Sequence, residues 1–272
     1  MSDVDWVRDI HMSESVTITT KNAIGVVTLN RPEAFNAFDL QMGERFAAQL
    51  VALGSERGIR GIVICGAGKA FCAGGDLKWA LSVQGGTAAA FHRLAGHFHL
   101  AVTEIRRAPK PVIAAINGVA AGGGFSLALA CDFRVMAKSA VLRQAYTSSG
   151  LCLDGGGTFN LPRLVGLARA LEIAAFDPPI SAEQALAWGL ATKVVEDGTA
   201  VDAAMKIAEE LAQRSLNAYG AAKELLTDSF DTSLETQLER ERAALAACAE
   251  HPEGQEGLKA FSEKRKPRFG AA

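Results

Sequence analysis

Two short runs in which apolar and polar residues alternate, SVTITT and AIGVVTLN, predict a pair of strands joined as a hairpin. The tripeptide NRP ends the second. From Leu40 the period changes: Met42, Phe46, Leu50 and Leu53 recur at helical spacing, with Asp39 placed to cap the helix. IRGIVICGAG is a short apolar strand running into glycines, and TAAAFHRLAGHFHLAVTEIRRAP is a long helix stopped by Pro109. PVIAAI reads as a buried strand, AAGGGFSLALACD as glycines leading into a helix, and DFRVMA as a further strand. Beyond LCLDGGGTFN the pattern turns mostly helical, from about Ala168 onward. The order is strand-strand-helix, repeated, then a helical tail whose apolar stripes must be covered by the core or by another subunit. This organisation gives an α/β core over residues 13–200 and a helical region over 201–272, with no low-complexity linker between them. Residues 1–12 share none of the patterning and read as a disordered or non-native extension.

Composition adds exclusions. The chain has 272 residues, 49% hydrophobic and 21% charged, enough for a sizeable core. A formal net charge of −2 offers no electrostatic case for nucleic acid or for a membrane surface as partner. No run reaches the ~18 apolar residues of a membrane span, and the N-terminus lacks an apolar signal core. Five scattered cysteines without a CxxC pair argue against a zinc ribbon or dithiol site and for a reducing, cytoplasmic setting. Of these, Cys65, Cys131 and Cys152 sit among apolar or small residues and read as core.

Three glycine clusters carry the candidate chemistry. GAGKAFCAGGDLK, Gly66 to Lys78, is not a P-loop: Val63 stands five residues before Gly68, and Ala70 follows Lys69. Nor is it a dinucleotide fingerprint, which needs glycine where Phe71 stands. A flexible strand-to-helix loop remains open. NGVAAGGGFSLALACD places glycines directly before a helix, where N–H groups aligned with the positive end of the dipole can hold a developing oxyanion. Close helix-strand packing would also call for glycine there. GLCLDGGGTF sets one carboxylate, Asp154, against three glycines, as a turn residue, a helix cap or a catalytic group.

These clusters, with NRPEAFNAFD upstream and GGGTFNLPRLVG downstream, resemble the enoyl-CoA hydratase/isomerase (crotonase) superfamily over roughly residues 15–269. SAEQALAWGLATKVV and GLKAFSEKRKPRF extend the likeness to the end. The resemblance implies a spiral of strand-strand-helix units with a C-terminal helical trimerisation region, assembled as a homotrimer or a homohexamer of two trimers. It implies a coenzyme A thioester substrate, with no separate cofactor and no metal. The backbone N–H groups of Gly75 and Gly123 would form the oxyanion hole. Ala34, Ala73, Asp76, Leu77 and Lys78 would be substrate-binding positions, the segment around Ala73 meeting the adenine and phosphates. Phe261 and Lys264 would close over the nucleotide from a neighbouring subunit. Lys78 and Lys264 read equally well as solvated lysines.

The likeness has gaps. Hydratases of the superfamily carry two glutamates, and the matching positions here are Ser126 and Tyr146. Water addition needs groups that activate water and deliver a proton, so hydratase activity is put in doubt. Asp154, just before the GGT segment, resembles the single acid/base of the 1,2-epoxyphenylacetyl-CoA isomerase group of phenylacetate degradation and of related enoyl-CoA isomerases. Burial beside Leu151, Cys152 and Leu153 would strengthen it as a base. Ser126 and Tyr146, with Phe125, Leu142 and Leu151, would line an acyl pocket. The expected function is an acyl-CoA isomerase working through an enolate. The alternatives are an enoyl-CoA hydratase, a non-catalytic acyl-CoA binding protein, a dehalogenase-like nucleophilic Asp154, and a nucleotide-binding protein. His92, His97 and His99 lie on the long helix with no carboxylate partner evident, and read as helix-surface or core residues.

Overall fold

The computed structural model describes residues 14–270; the extension expected at 1–12 lies outside them. β1 (Val16–Lys21) and β2 (Ile24–Leu29) form the predicted antiparallel hairpin. α1 (Leu40–Ser55) is capped by Asp39, which accepts the Met42 N–H at 2.8 Å. β3 (Gly61–Gly66) and β4 (Ala70–Cys72) follow, then α2 (Leu77–Ser82) and the long α3 (Gly86–Arg107). β5 (Val112–Ile116), β6 (Val119–Ala121) and α4 (Gly123–Ala130) repeat the unit, as do β7 (Phe133–Ala137), β8 (Val141–Arg143) and α5 (Gly157–Phe176).

Each later unit divides its two strands between two sheets. The larger sheet has the order β1-β2-β3-β5-β7-β10 and is parallel beyond the hairpin. The smaller has the order β4-β6-β8-β9, with β4, β6 and β8 parallel. The apolar strands are continuous because both faces of the large sheet are covered. Ile62 and Ile64 of β3 face the core shared with α1 and α3, while Val63 and Cys65 face a second core.

The tail is less purely helical than its pattern predicts. β9 (Ile180–Ser181) and β10 (Lys193–Val195) flank α6 (Ala182–Ala187), one strand joining each sheet. α7 (Ala200–Ala212) places Ala204, Ala208 and Ala212 on the second face of the large sheet; a row of alanines lets the helix lie close. α8 (Leu216–Asp228), α9 (Leu234–Glu250) and α10 (Pro252–Ser262) complete the chain. α8 is anchored by Lys223, buried against Asp132 at 2.8 Å and the Ile105 carbonyl at 2.7 Å. Cys65 and Cys131 are buried as expected, but Cys152 is exposed, on a loop that lines a cavity. No helix among the described residues is long and apolar enough to cross a membrane.

Candidate active site

The parallel strands β4, β6 and β8 are neighbours, so the segments leaving their carboxyl ends meet. Gly75 follows β4, Gly123 follows β6, and Tyr146 follows β8. All three line one cavity of about 360 Å³ together with Asp154. Aromatic and aliphatic side chains of α3, among them Phe91, Leu94 and Phe98, form its apolar wall. Phe38 closes it, held edge-to-face on Phe46 and Phe98 with centroids 5.4 and 5.3 Å apart.

The two glycine turns approach because Gly74 has no side chain. A Cβ there would stand 2.9 Å from Gly123 N and 3.0 Å from Ala121 O, at a φ of +102°. Phe38 fixes the first turn by donating its N–H to Gly74 O (2.7 Å) and accepting the Asp76 N–H (2.9 Å). The N–H of Gly75 between them takes no partner among the described residues, nor does that of Gly123 in the first turn of α4. Two unpaired donors therefore line one apolar cavity, one of them at the positive end of a helix dipole.

Residues that pattern reading missed hold these turns. Buried Asn36 donates to Ala67 O and Ala70 O at 2.9 and 2.8 Å and accepts the Arg31 N–H, tying the NRPEAFNAF loop to the first glycine cluster. Arg31 pairs with Asp39 and Asp76. Asp177, buried at the end of α5, accepts from Ala145 N (2.9 Å), Ser148 Oγ (2.5 Å) and Arg143 Nε (3.1 Å), which fixes the loop bearing Tyr146. Nothing local marks Asn36 or Asp177: the partners of Asp177 lie 29 or more residues away, and those of Asn36 lie 31 and 34 residues away or in its own loop of no regular pattern.

The glycines of the third cluster have steric causes. Gly155 and Gly156 have φ of +60° and +75°. A Cβ on Gly155 would fall 2.3 Å from the Phe98 ring, and one on Gly157 would fall 2.7 Å from Ser126 Oγ. Asp154 is not the cap of α5: Gly156 holds that position, with no side-chain cap bond. The Asp154 carboxylate instead meets His99, with Nε2 and Oδ1 2.5 Å apart. The side chain is 41% exposed, so the burial expected beside Leu151, Cys152 and Leu153 is not found in the single chain. The reading of the α3 histidines is also corrected. His99 has Asp154, His97 has Glu44 at 3.6 Å, and His92 lines the cavity.

Ser126 is fully buried behind the cavity, and Tyr146 reaches toward it with the two oxygens 3.5 Å apart. Burial pushes the Tyr146 phenol well up, and the Ser126 hydrogen bond opposes this only in part, so the group stays a neutral hydroxyl. Asp154 is then the one carboxylate lining this cavity among the described residues.

The remaining predicted positions lie elsewhere. Ala73, Leu77 and Lys78 flank the glycine turn along the chain, and Ala34 lies in the loop whose Phe35 O holds the Ala73 N–H at 3.0 Å; none of the four lines the cavity, and Leu77 is 51% exposed. Asp76 faces the protein rather than the cavity. It accepts the Trp79 N–H as the cap of α2 and pairs with Arg31 at 3.0 Å. Burial alone would raise its carboxyl, but those two partners together hold it below the usual range. Phe261 and Lys264, at the end of α10, are exposed and do not line the cavity within the chain.

Comparison with known proteins gives one answer. The profile of the enoyl-CoA hydratase/isomerase family matches residues 19–272. The chain is 37% identical to the 1,2-epoxyphenylacetyl-CoA isomerase of Escherichia coli over 95% of its own length and 99% of that protein. It is 31% identical to the crotonyl-CoA hydratase of Syntrophomonas wolfei over 94% and 98%. The crystal structure of an enoyl-CoA hydratase from Bacillus anthracis superposes with a TM-score of 0.89 at 34% identity, covering 95% and 100%. With the two glycine turns and the divided strand pairs already described, the chain belongs to the enoyl-CoA hydratase/isomerase family and has the crotonase fold.

Proposed function

We propose that the protein is an acyl-CoA thioester isomerase that shifts a double bond, or opens a ring epoxide, through an enolate. The observation that carries this reading is the single carboxylate, Asp154, in a cavity that also presents two unpaired N–H groups. With a 3-enoyl thioester, Asp154 takes a proton from C2 and the electron pair passes to the thioester oxygen. The Gly75 and Gly123 N–H groups receive that charge, one such donor being worth roughly 3–4 kcal/mol in other enzymes. The carboxylic acid then returns a proton at C4, which leaves the 2-enoyl product. Hydration would need one group to activate water and a second to deliver a proton, and beside Asp154 the cavity has only the hydroxyls of Ser126 and neutral Tyr146. Coenzyme A enters as part of the substrate and no other cofactor is required. Leu234, Leu238, Leu245 and Phe261 are exposed on α9 and α10, which supports a homotrimer, or two trimers, that covers them.

The test is Asp154→Asn with 2-enoyl, 3-enoyl, dienoyl and epoxyphenylacetyl thioesters. Isomerisation falls by about 10²–10⁴ if Asp154 is the base. Crotonyl-CoA hydration that survives the substitution unchanged sinks the proposal. Thioester binding with no turnover of any substrate would leave a binding protein.

A further inference from the structure

We infer that His99 relays the proton held by Asp154 to bulk water. It would act through the carboxylate and not touch substrate, and the inference rests on the proposed role of Asp154. Three observations carry it. Nε2 of His99 lies 2.5 Å from Asp154 Oδ1. Asp154 lines the cavity while His99 does not, and the His99 side chain is 53% exposed. Neither His99 Nδ1 nor Asp154 Oδ2 takes a hydrogen bond from the described residues. One carboxylate oxygen thus rests on an imidazole open to solvent, and the other is left for the substrate proton.

The contact is built rather than incidental. Phe98 and His99 are consecutive on α3 and address consecutive residues of the loop. The Phe98 ring packs where any side chain on Gly155 would stand, and His99 meets Asp154. Gly157 N–H holds the Asp154 carbonyl at 3.1 Å.

Each step balances. The substrate C–H bond breaks, its electron pair enters the enolate, and the proton sits on Asp154. Transfer to Nε2 gives carboxylate and imidazolium. The exposed ring turns on the fast timescale of surface side chains and exchanges that proton with water. A solvent proton then returns through Nε2 to the carboxylate and on to carbon. Nothing is oxidised or reduced.

Isomerisation of 3-hexenoyl-CoA in deuterium oxide reads this directly. Wild type is expected to place solvent deuterium at C4 of the product and to exchange C2 of recovered substrate. His99→Gln keeps a hydrogen-bond partner for Oδ1 but cannot carry the proton. Its deuterium incorporation per turnover should drop fivefold or more, while kcat drops less than tenfold. His99→Asn, measured alongside, should behave likewise if the substitution itself distorts nothing. Wild type that transfers the proton without solvent deuterium overturns the relay, and so does undiminished incorporation in His99→Gln. Asp154→Asn separates the two claims. If it is inactive and His99→Gln still exchanges normally, only the relay fails; if it keeps full turnover, both fail.

Discussion

Gly74→Ala tests how the two glycine turns make a site. The added methyl would stand 2.9 Å from Gly123 N, 3.0 Å from Ala121 O and 3.2 Å from Gly122 Cα. Ordinary contact begins near 3.4 Å, so the two segments must part by about half an ångström. The backbone at φ +102° adds strain of ~1–3 kcal/mol for any residue with a Cβ, and overpacking adds ~1–3 kcal/mol. Donors to an oxyanion work at roughly 2.7–3.1 Å, so a shift of that size takes one of them out of range, at about 10²–10³ in kcat. Steady-state kcat on a 3-enoyl thioester and the urea unfolding midpoint should both fall. Gly96→Ala is the matched control. Gly96 lies exposed inside α3 with nothing within 4 Å of its Cβ position. That variant should gain ~0.5–1 kcal/mol with kcat unchanged. If Gly74→Ala keeps kcat within threefold of wild type and the same midpoint, the close approach of the turns does not set the donors.

Two further outcomes follow from buried or paired charges. Lys223→Met removes the cation facing Asp132, whose carboxyl burial already pushes up, and leaves that carboxylate unpaired. Urea unfolding should show a loss of ~3–5 kcal/mol, largely recovered by adding Asp132→Asn. Asp76 is held below the usual carboxylate range once folded, so its contribution is present above the unfolded value of about 4 and lost as pH falls through the folded one. In melting curves, the wild-type advantage over Asp76→Asn should therefore shrink below about pH 4.

What the sequence shows of this fold is what repeats locally. The hairpin, the Asp39 cap, the period of α1 and α3 and the glycine clusters are visible because neighbours along the chain create them. The small sheet is not, since Ala70–Cys72, Val119–Ala121 and Val141–Arg143 are too short to show alternation. β10 is hidden similarly, as three residues inside a helical tail. The likeness to a known family supplied the roles proposed for Gly75 and Gly123; the strand order explains why they adjoin. From its neighbours alone Asp154 reads as a turn residue, a cap or a catalytic group. The positive φ of Gly155 and Gly156 turns the chain before α5 starts, so the helix begins without it. His99 lies 55 residues away. Helical periodicity assigns it a face and cannot say which loop crosses that face.

That division has a consequence for how one scaffold carries different reactions. The two unpaired N–H groups are fixed by main chain, through Gly74, Phe38 and the ends of β4 and β6, and depend little on side-chain chemistry. The polar side chains at or behind the cavity come from α4, from the loop after β8 and from the loop before α5, where the backbone constrains position but not residue type. Ser126 and Tyr146 occupy the first two places with a hydroxyl pair, and burial keeps Tyr146 neutral. The third place holds Asp154, the acid/base of the proposed reaction, with His99 against its carboxylate. On the proposed reading, one carboxylate beside two unpaired N–H groups suits taking a proton from one carbon and delivering one to another, whereas adding water calls for a second acid/base group. Reinstating a carboxylate at Ser126 would not by itself restore hydration, because that position is fully buried and a larger side chain would meet Gly155 and Gly157.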